Sequence, residues 1–192
     1  MSNRIILFVC TAVVAAFAFS PVPASAAEPE VSPACTVGGV AVAEGQPLPK
    51  QLPTVISCFE SVEAAEQFIE AGAPGDFEQV VQASPGVSAT LAAASTVTVG
   101  KAWTSTSRSG SVLIHWGVGS GCYGVTYGFP TLPSGWDNNV RSAEGLSNCW
   151  ASHYDLTNYG GDVLTCAPYC STLGFMAARS SSIVYRPVGT FG

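Results

Sequence analysis

The sequence predicts a mainly β fold: short antiparallel strands closed into a sandwich or barrel over residues 97–192, with a small α+β segment ahead of them. Three observations carry this expectation. Past residue 95 helical spacing disappears, and glycine, serine, threonine and aromatic residues dominate. Strand-like runs at 111–116 and 180–185 are separated by frequent turn signals, among them Pro133-Ser134-Gly135 and Gly160-Gly161. One pattern also occurs twice, and an internal repeat constrains architecture more firmly than any single residue can.

In chain order, residues 1–26 read as a secretory signal peptide. Arg4 supplies the positive start and Ile5 through Phe19 the apolar run, while Ala24-Ser25-Ala26 offers small residues ahead of cleavage before Ala27. A membrane anchor is the rival reading, but the run is shorter than the ~20 residues a spanning helix needs. The mature chain is therefore expected to be secreted, off the membrane and monomeric. Residues 27–73 form the small acidic segment. After a loose start at 28–33, residues 37–42 and 55–59 read as strands, joined through Gln46-Pro47-Leu48-Pro49. Ser61 then reads as a helix N-cap, with Glu63 in the first turn where the helix dipole favours a negative charge. Val62, Ala65, Phe68 and Ile69 recur at helical spacing, and Gly72 is placed to end the helix. The acids on its other face read most simply as a solvated surface. Residues 74–96, with Pro74-Gly75, Ser84-Pro85-Gly86 and alanines at 92–94, read as a linker to the β domain at 97–192.

Charge excludes one class of partner. The chain carries seven Lys and Arg against thirteen Asp and Glu, and Arg4 leaves with the signal. Nine of the acids lie between Ala27 and Ser95, where Lys50 is the one base. Binding a nucleic-acid backbone needs clustered Lys and Arg, so nucleic acid is not an expected partner. Six cysteines survive processing: Cys35, Cys58, Cys122, Cys149, Cys166 and Cys170. An even count in an exported chain reads as three disulfides, and the economical pairing joins neighbours: Cys35 with Cys58, Cys122 with Cys149, Cys166 with Cys170. Zinc is the rival for the four cysteines between 122 and 170, but no C-x-x-C pair is present and the compartment is oxidising.

The repeated pattern is an aromatic, a second aromatic five residues on, and a glycine two further. Tyr154, Tyr159 and Gly161 form the clear copy, followed later by a segment ending at Ser182. Trp103 and Gly110 form the other, followed by Ser142, with Arg108 standing where the second aromatic belongs. A glycine at a folded-over hairpin takes positive φ without strain, flanking aromatics pack over it, and the closing serine can satisfy backbone groups of the fold-over. The first copy is longer, with the extra residues expected between Gly117 and Gly128. This pattern resembles the Greek-key signature of the βγ-crystallins, which implies a double Greek-key sandwich over 97–192. The whole layout, with Cys58-Phe59-Glu60-Ser61 in front and residues 154–166 behind, also resembles an exported actinobacterial family of βγ-crystallin-like metalloproteinase inhibitors (peptidase inhibitor family I36).

Microbial βγ-crystallins often bind Ca²⁺ through the pattern N/D-N/D-x-x-S/T-S. Asp137, Asn138 and Ser142 are the calcium candidates here, since calcium wants six to eight oxygens. Arg141 replaces the Ser/Thr ligand, and Ala177 and Ala178 replace the acid or amide pair in the second copy. Both changes oppose a metal, so no cofactor is expected. The resemblance to the inhibitors implies instead that the loop Cys166-Ala167-Pro168-Tyr169-Cys170 presents the reactive bond, by position Cys166–Ala167, to an extracellular protease. A disulfide across so short a segment, stiffened by Pro168, would preorganise it for docking. The same loop also reads as a hairpin staple with no partner, and the protein as a structural cell-envelope protein with weak or no calcium binding. Catalysis is not expected. His115 sits in a strand pattern, and Gly117-Val118-Gly119-Ser120-Gly121 departs from a nucleophile elbow at Val118. The tryptophans read first as core.

Overall fold

The computed structural model describes residues 33–52, 55–82 and 95–192. The expected signal peptide, the start of the mature chain and most of the expected linker lie outside them. Strand β1 (Ala34–Gly39) is followed after Val40 by β2 (Ala41–Ala43), and then come β3 (Ile56–Phe59), α1 (Val62–Glu70) and α2 (Asp76–Gln82). The remainder is β4 (Thr96–Trp103), β5 (Val112–Val118), β6 (Val125–Phe129), β7 (Ser142–Gly145), β8 (Cys149–Tyr154), β9 (Val163–Cys166), β10 (Tyr169–Cys170) and β11 (Ser182–Pro187).

Among the described residues eleven strands form two sheets, with neighbours in the order β10-β7-β4-β5-β1-β3 in one and β2-β6-β11-β8-β9 in the other. In the first sequence repeat β4, β5 and β7 share a sheet while the third strand, β6, crosses to the other; in the second repeat β8, β9 and β11 stay together while β10 crosses. Each sheet thus takes one strand from the opposite repeat, β10 at the edge of the first sheet and β6 between β2 and β11 in the second. This exchange is the double Greek key that the sequence pattern implied.

The front segment is built into both sheets. β1 runs parallel to β5, from Ala34 opposite Val112 to Gly39 opposite Gly117, and β2 pairs with β6. Front segment and Greek keys cluster together as one compact unit. α1 begins at Ser61, whose hydroxyl accepts from the Ala64 N–H at 3.1 Å, as expected of an N-cap. It ends at Ala71, and Gly72 follows at φ 91°. Glu66, at the border of its buried face, pairs with Lys101 of β4 at 2.6 Å. α2 occupies the start of the stretch read as a linker, where Asp76 accepts a 2.7 Å hydrogen bond from Ser57 of β3.

β5 explains the layering. All of its residues are buried, so no polar alternation marks it in the sequence. Val112, Ile114, Trp116 and Val118 pack with Ala65, Ile69 and Val80 under the helices, while Leu113 faces the sandwich core with Tyr127, Phe129, Ile183 and Tyr185. Trp103, Trp116 and Trp136 are all buried, so three of the four tryptophans are core. Gly100 is required by contact: a Cβ there would fall on the Tyr185 ring and the Glu144 carbonyl.

Candidate functional site

The two folded-over hairpins share their closing backbone hydrogen bonds. In the first, Thr104 N–H donates to Ser111 O and Ser105 N–H to Ser109 O; in the second, Asp155 N–H donates to Asp162 O and Leu156 N–H to Gly160 O. Ser107, Arg108 and Gly110 have φ of 56°, 60° and 77°, matched by 56°, 62° and 79° at Asn158, Tyr159 and Gly161. The closing serines do the same work in both copies. Ser142 Oγ accepts from Arg108 N–H at 3.2 Å and donates to Ser105 O at 2.7 Å, while Ser182 Oγ accepts from Tyr159 N–H at 3.0 Å and donates to Leu156 O at 2.7 Å. Arg108 therefore keeps the backbone of the second aromatic position and changes only what its side chain reaches.

What it reaches is the cysteine loop. The Arg108 guanidinium lies over the Tyr169 ring, 3.7 Å from its centre, and pairs with Glu144 of β7 at 2.6 Å. Tyr159 instead donates its hydroxyl to Pro49 O at 2.7 Å and stands edge-on to Tyr154. The disulfides pair neighbour with neighbour: Cys35–Cys58, Cys122–Cys149 and Cys166–Cys170. The last bridges the turn from β9 to β10, where the chain passes between the sheets.

Within that turn Cys166 is fully buried and sits opposite Ala151 in the ladder, and Tyr169 and Cys170 pair with Glu144 and Ala143. Ala167 and Pro168 are exposed, joined by a cis peptide bond. Gly145 N–H donates to Pro168 O and Ser107 N–H to Ser171 O, both at 2.8 Å, so the C-terminal side of the exposed pair is tied to the body. Sequence reasoning located this loop and missed its clamp. In the sequence Arg108 stands only as a departure from the repeat, because nothing local links it to Glu144 or Tyr169.

The calcium candidates separate. Ser142 is buried and committed to the hairpin, whereas Asp137 and Asn138 are exposed and hydrogen-bond to each other at 3.2 Å. Arg141 Nη1 lies among oxygens of the same region, donating to Thr104 O at 2.9 Å, Asn139 Oδ1 at 2.9 Å and Asn139 O at 3.3 Å. In the second repeat Arg179 pairs with Asp155 at 2.5 Å and lies 3.4 Å from Asp162. Among the described residues no three His, Cys, Asp or Glu side chains gather at one point.

Both histidines are enclosed. His115 Nδ1 meets the Tyr185 hydroxyl at 2.9 Å and His153 Nδ1 meets Ser180 Oγ at 3.0 Å, with neither Nε2 partnered. Burial lowers both imidazoles to a pKa of about 3, His115 with a smaller push from His153. Each is a neutral, structural imidazole at neutral pH. Although His153 touches Ser180, both are completely buried, which leaves no approach for a substrate.

No known family profile matches the chain, and no curated protein matches it. Among solved structures it is similar to the crystal structure of the N-terminal domain of protein S, at 14% identity and a TM-score of 0.38, over 48% of this chain and 99% of that one.

Proposed function

We propose that this is an exported, non-enzymatic binding protein that inhibits an extracellular protease, a metalloprotease by its resemblance, through the Cys166–Cys170 loop. One observation carries the reading: two exposed residues, Ala167 and Pro168, stand between disulfide-linked ends on a base fixed by the β10–β7 ladder, the Gly145–Pro168 hydrogen bond and the Arg108 clamp. A loop already held in one shape gives up little entropy on docking, so a small contact can bind well. Three disulfides suit an oxidising exterior. Because Cys166 is buried, the loop would act as a wedge led by Ala167 and Pro168, with the Cys166–Ala167 bond at its base.

The same burial favours a second reading, in which the loop is only a staple and the protein a structural envelope component with weak or no calcium binding. Titrating the purified mature protein against thermolysin-like enzymes separates the two. The inhibitor reading expects saturable loss of protease activity, and undiminished activity at micromolar protein sinks it. In the structural reading, a melting temperature unmoved by millimolar Ca²⁺ leaves no role for the metal.

A further inference from the structure

In so acidic a chain the fate of each cation is informative. Lys101 is paired with Glu66, Arg108 with Glu144, and Arg179 with Asp155 and Asp162. Arg141 is enclosed by Thr104 O and the two oxygens of Asn139. Lys50 and Arg186 remain, with no carboxylate at ion-pair distance among the described residues, and both line one cleft. The cleft measures about 350 Å³. It lies where the connection after β2 crosses the outward face of the β2-β6-β11-β8-β9 sheet, and among the described residues no Asp or Glu lines it.

The local geometry keeps this charge uncompensated. Ile183 and Tyr185 of β11 point into the sandwich core, so Arg186 projects from the opposite face. Its Nη2 donates to the Tyr154 hydroxyl at 2.9 Å, a neutral partner, and its Nε is buried without one. Tyr159 pins the cleft's other wall through its hydrogen bond to Pro49, and burial raises the phenol's pKa, so it supplies no negative charge. Gln46 and Thr126 add neutral hydrogen-bonding groups, and Leu48 adds an apolar wall.

We propose that this cleft binds an oxyanion, a carboxylate or phosphate group of a small ligand, with Arg186 and Lys50 as its cationic anchors. A guanidinium offers the planar donor fork that such groups accept, and a nearby ammonium adds a second charge. The cleft shares no lining residue with the Cys166–Cys170 loop, so the proposal stands or falls independently of protease inhibition.

Calorimetric titration of the mature protein with inorganic phosphate and, separately, with glucuronate tests it and tells the two anion classes apart. The expected result is one site for at least one probe, weakening as salt rises. Removing either anchor, by Lys50→Gln or Arg186→Gln, should lower affinity about tenfold or more, the scale of a lost charge-assisted hydrogen bond. Lys50 is exposed, so its variant decides the matter even if Arg186→Gln fails to fold. Binding of one probe alone assigns the anion class. Absence of binding by both probes at tens of millimolar, or an affinity unchanged by Lys50→Gln, overturns the proposal.

Discussion

The two Greek keys agree in what holds their hairpins and differ in what the hairpins hold. Each closing serine satisfies one part-buried N–H and one part-buried carbonyl, at equivalent places in the two copies. The second aromatic position is free of that duty. In one copy Arg108 turns to Glu144 and Tyr169, and in the other Tyr159 turns to Pro49. The turns from second to third strand differ as well. The first copy has the long 119–124 connection anchored by Cys122–Cys149, and the second has a short turn closed on itself by Cys166–Cys170. The comparison teaches that the fold-over is fixed by backbone satisfaction, while specialisation collects in side chains and turns that the fold-over does not need.

The largest effect that could break this equivalence is acid. His115 belongs to the first copy and His153 to the second, both held near pKa 3 by burial against an ordinary value of 6.5. Below pH 6.5 the unfolded chain binds protons that the folded chain refuses. Stability is therefore full above about pH 6.5 and falls as the pH drops toward 3, by about 1.4 kcal/mol per histidine per pH unit. Urea unfolding at pH 7 and pH 5 measures the loss, and a slope corresponding to a single histidine would show that the two sites are not equivalent.

Next come the disulfides. Their sequence separations are 27 for Cys122–Cys149 and 4 for Cys166–Cys170. Loop-closure entropy then assigns about 3.5 kcal/mol to the former and about 2 kcal/mol to the latter. Unfolding midpoints of the two double Cys→Ser variants should keep that order, and the reverse order would make the short loop a structural staple before anything else.

The closing serines should give matched losses. Ser142→Ala and Ser182→Ala each leave two part-buried backbone groups without their side-chain partner, so each should cost about 1–2 kcal/mol. Unequal losses in chemical denaturation would mean that one copy has a compensating partner. The smallest effect belongs to the clamp. Arg108→Ala loses a half-exposed ion pair and a cation–π contact and should cost about 1 kcal/mol or less. Hydrogen exchange at Tyr169 and Cys170 should nevertheless quicken, and unchanged exchange would deny that Arg108 steadies the loop.

Much of this was legible because it is local. Tyr154, Tyr159, Gly161 and Ser182 can be read as a Greek key from their spacing, and short separations made neighbour pairing of the cysteines the economical choice. The front strand was partly legible: the stretch 37–42 was expected as one strand, and the chain forms β1 and β2 on either side of Val40, one in each sheet. That division depends on pairing with β5 and β6, far along the chain, which no local pattern records. α2 was hidden behind Pro74-Gly75, whose turn signal is genuine and simply precedes it. The roles of Arg108, Arg141 and Arg186 are set by partners in other strands, so the sequence shows the residues and not their contacts.

The proposed working surface is the turn of the second repeat, and not its counterpart in the first. It is tested most directly by comparing inhibition of a thermolysin-like protease by the mature protein, by Ala167→Glu, and by Tyr123→Ala, which alters the exposed tip of the first repeat's turn. The unaltered protein and Tyr123→Ala should inhibit alike, while Ala167→Glu should not. Inhibition that survives Ala167→Glu, or is lost with Tyr123→Ala, would contradict it.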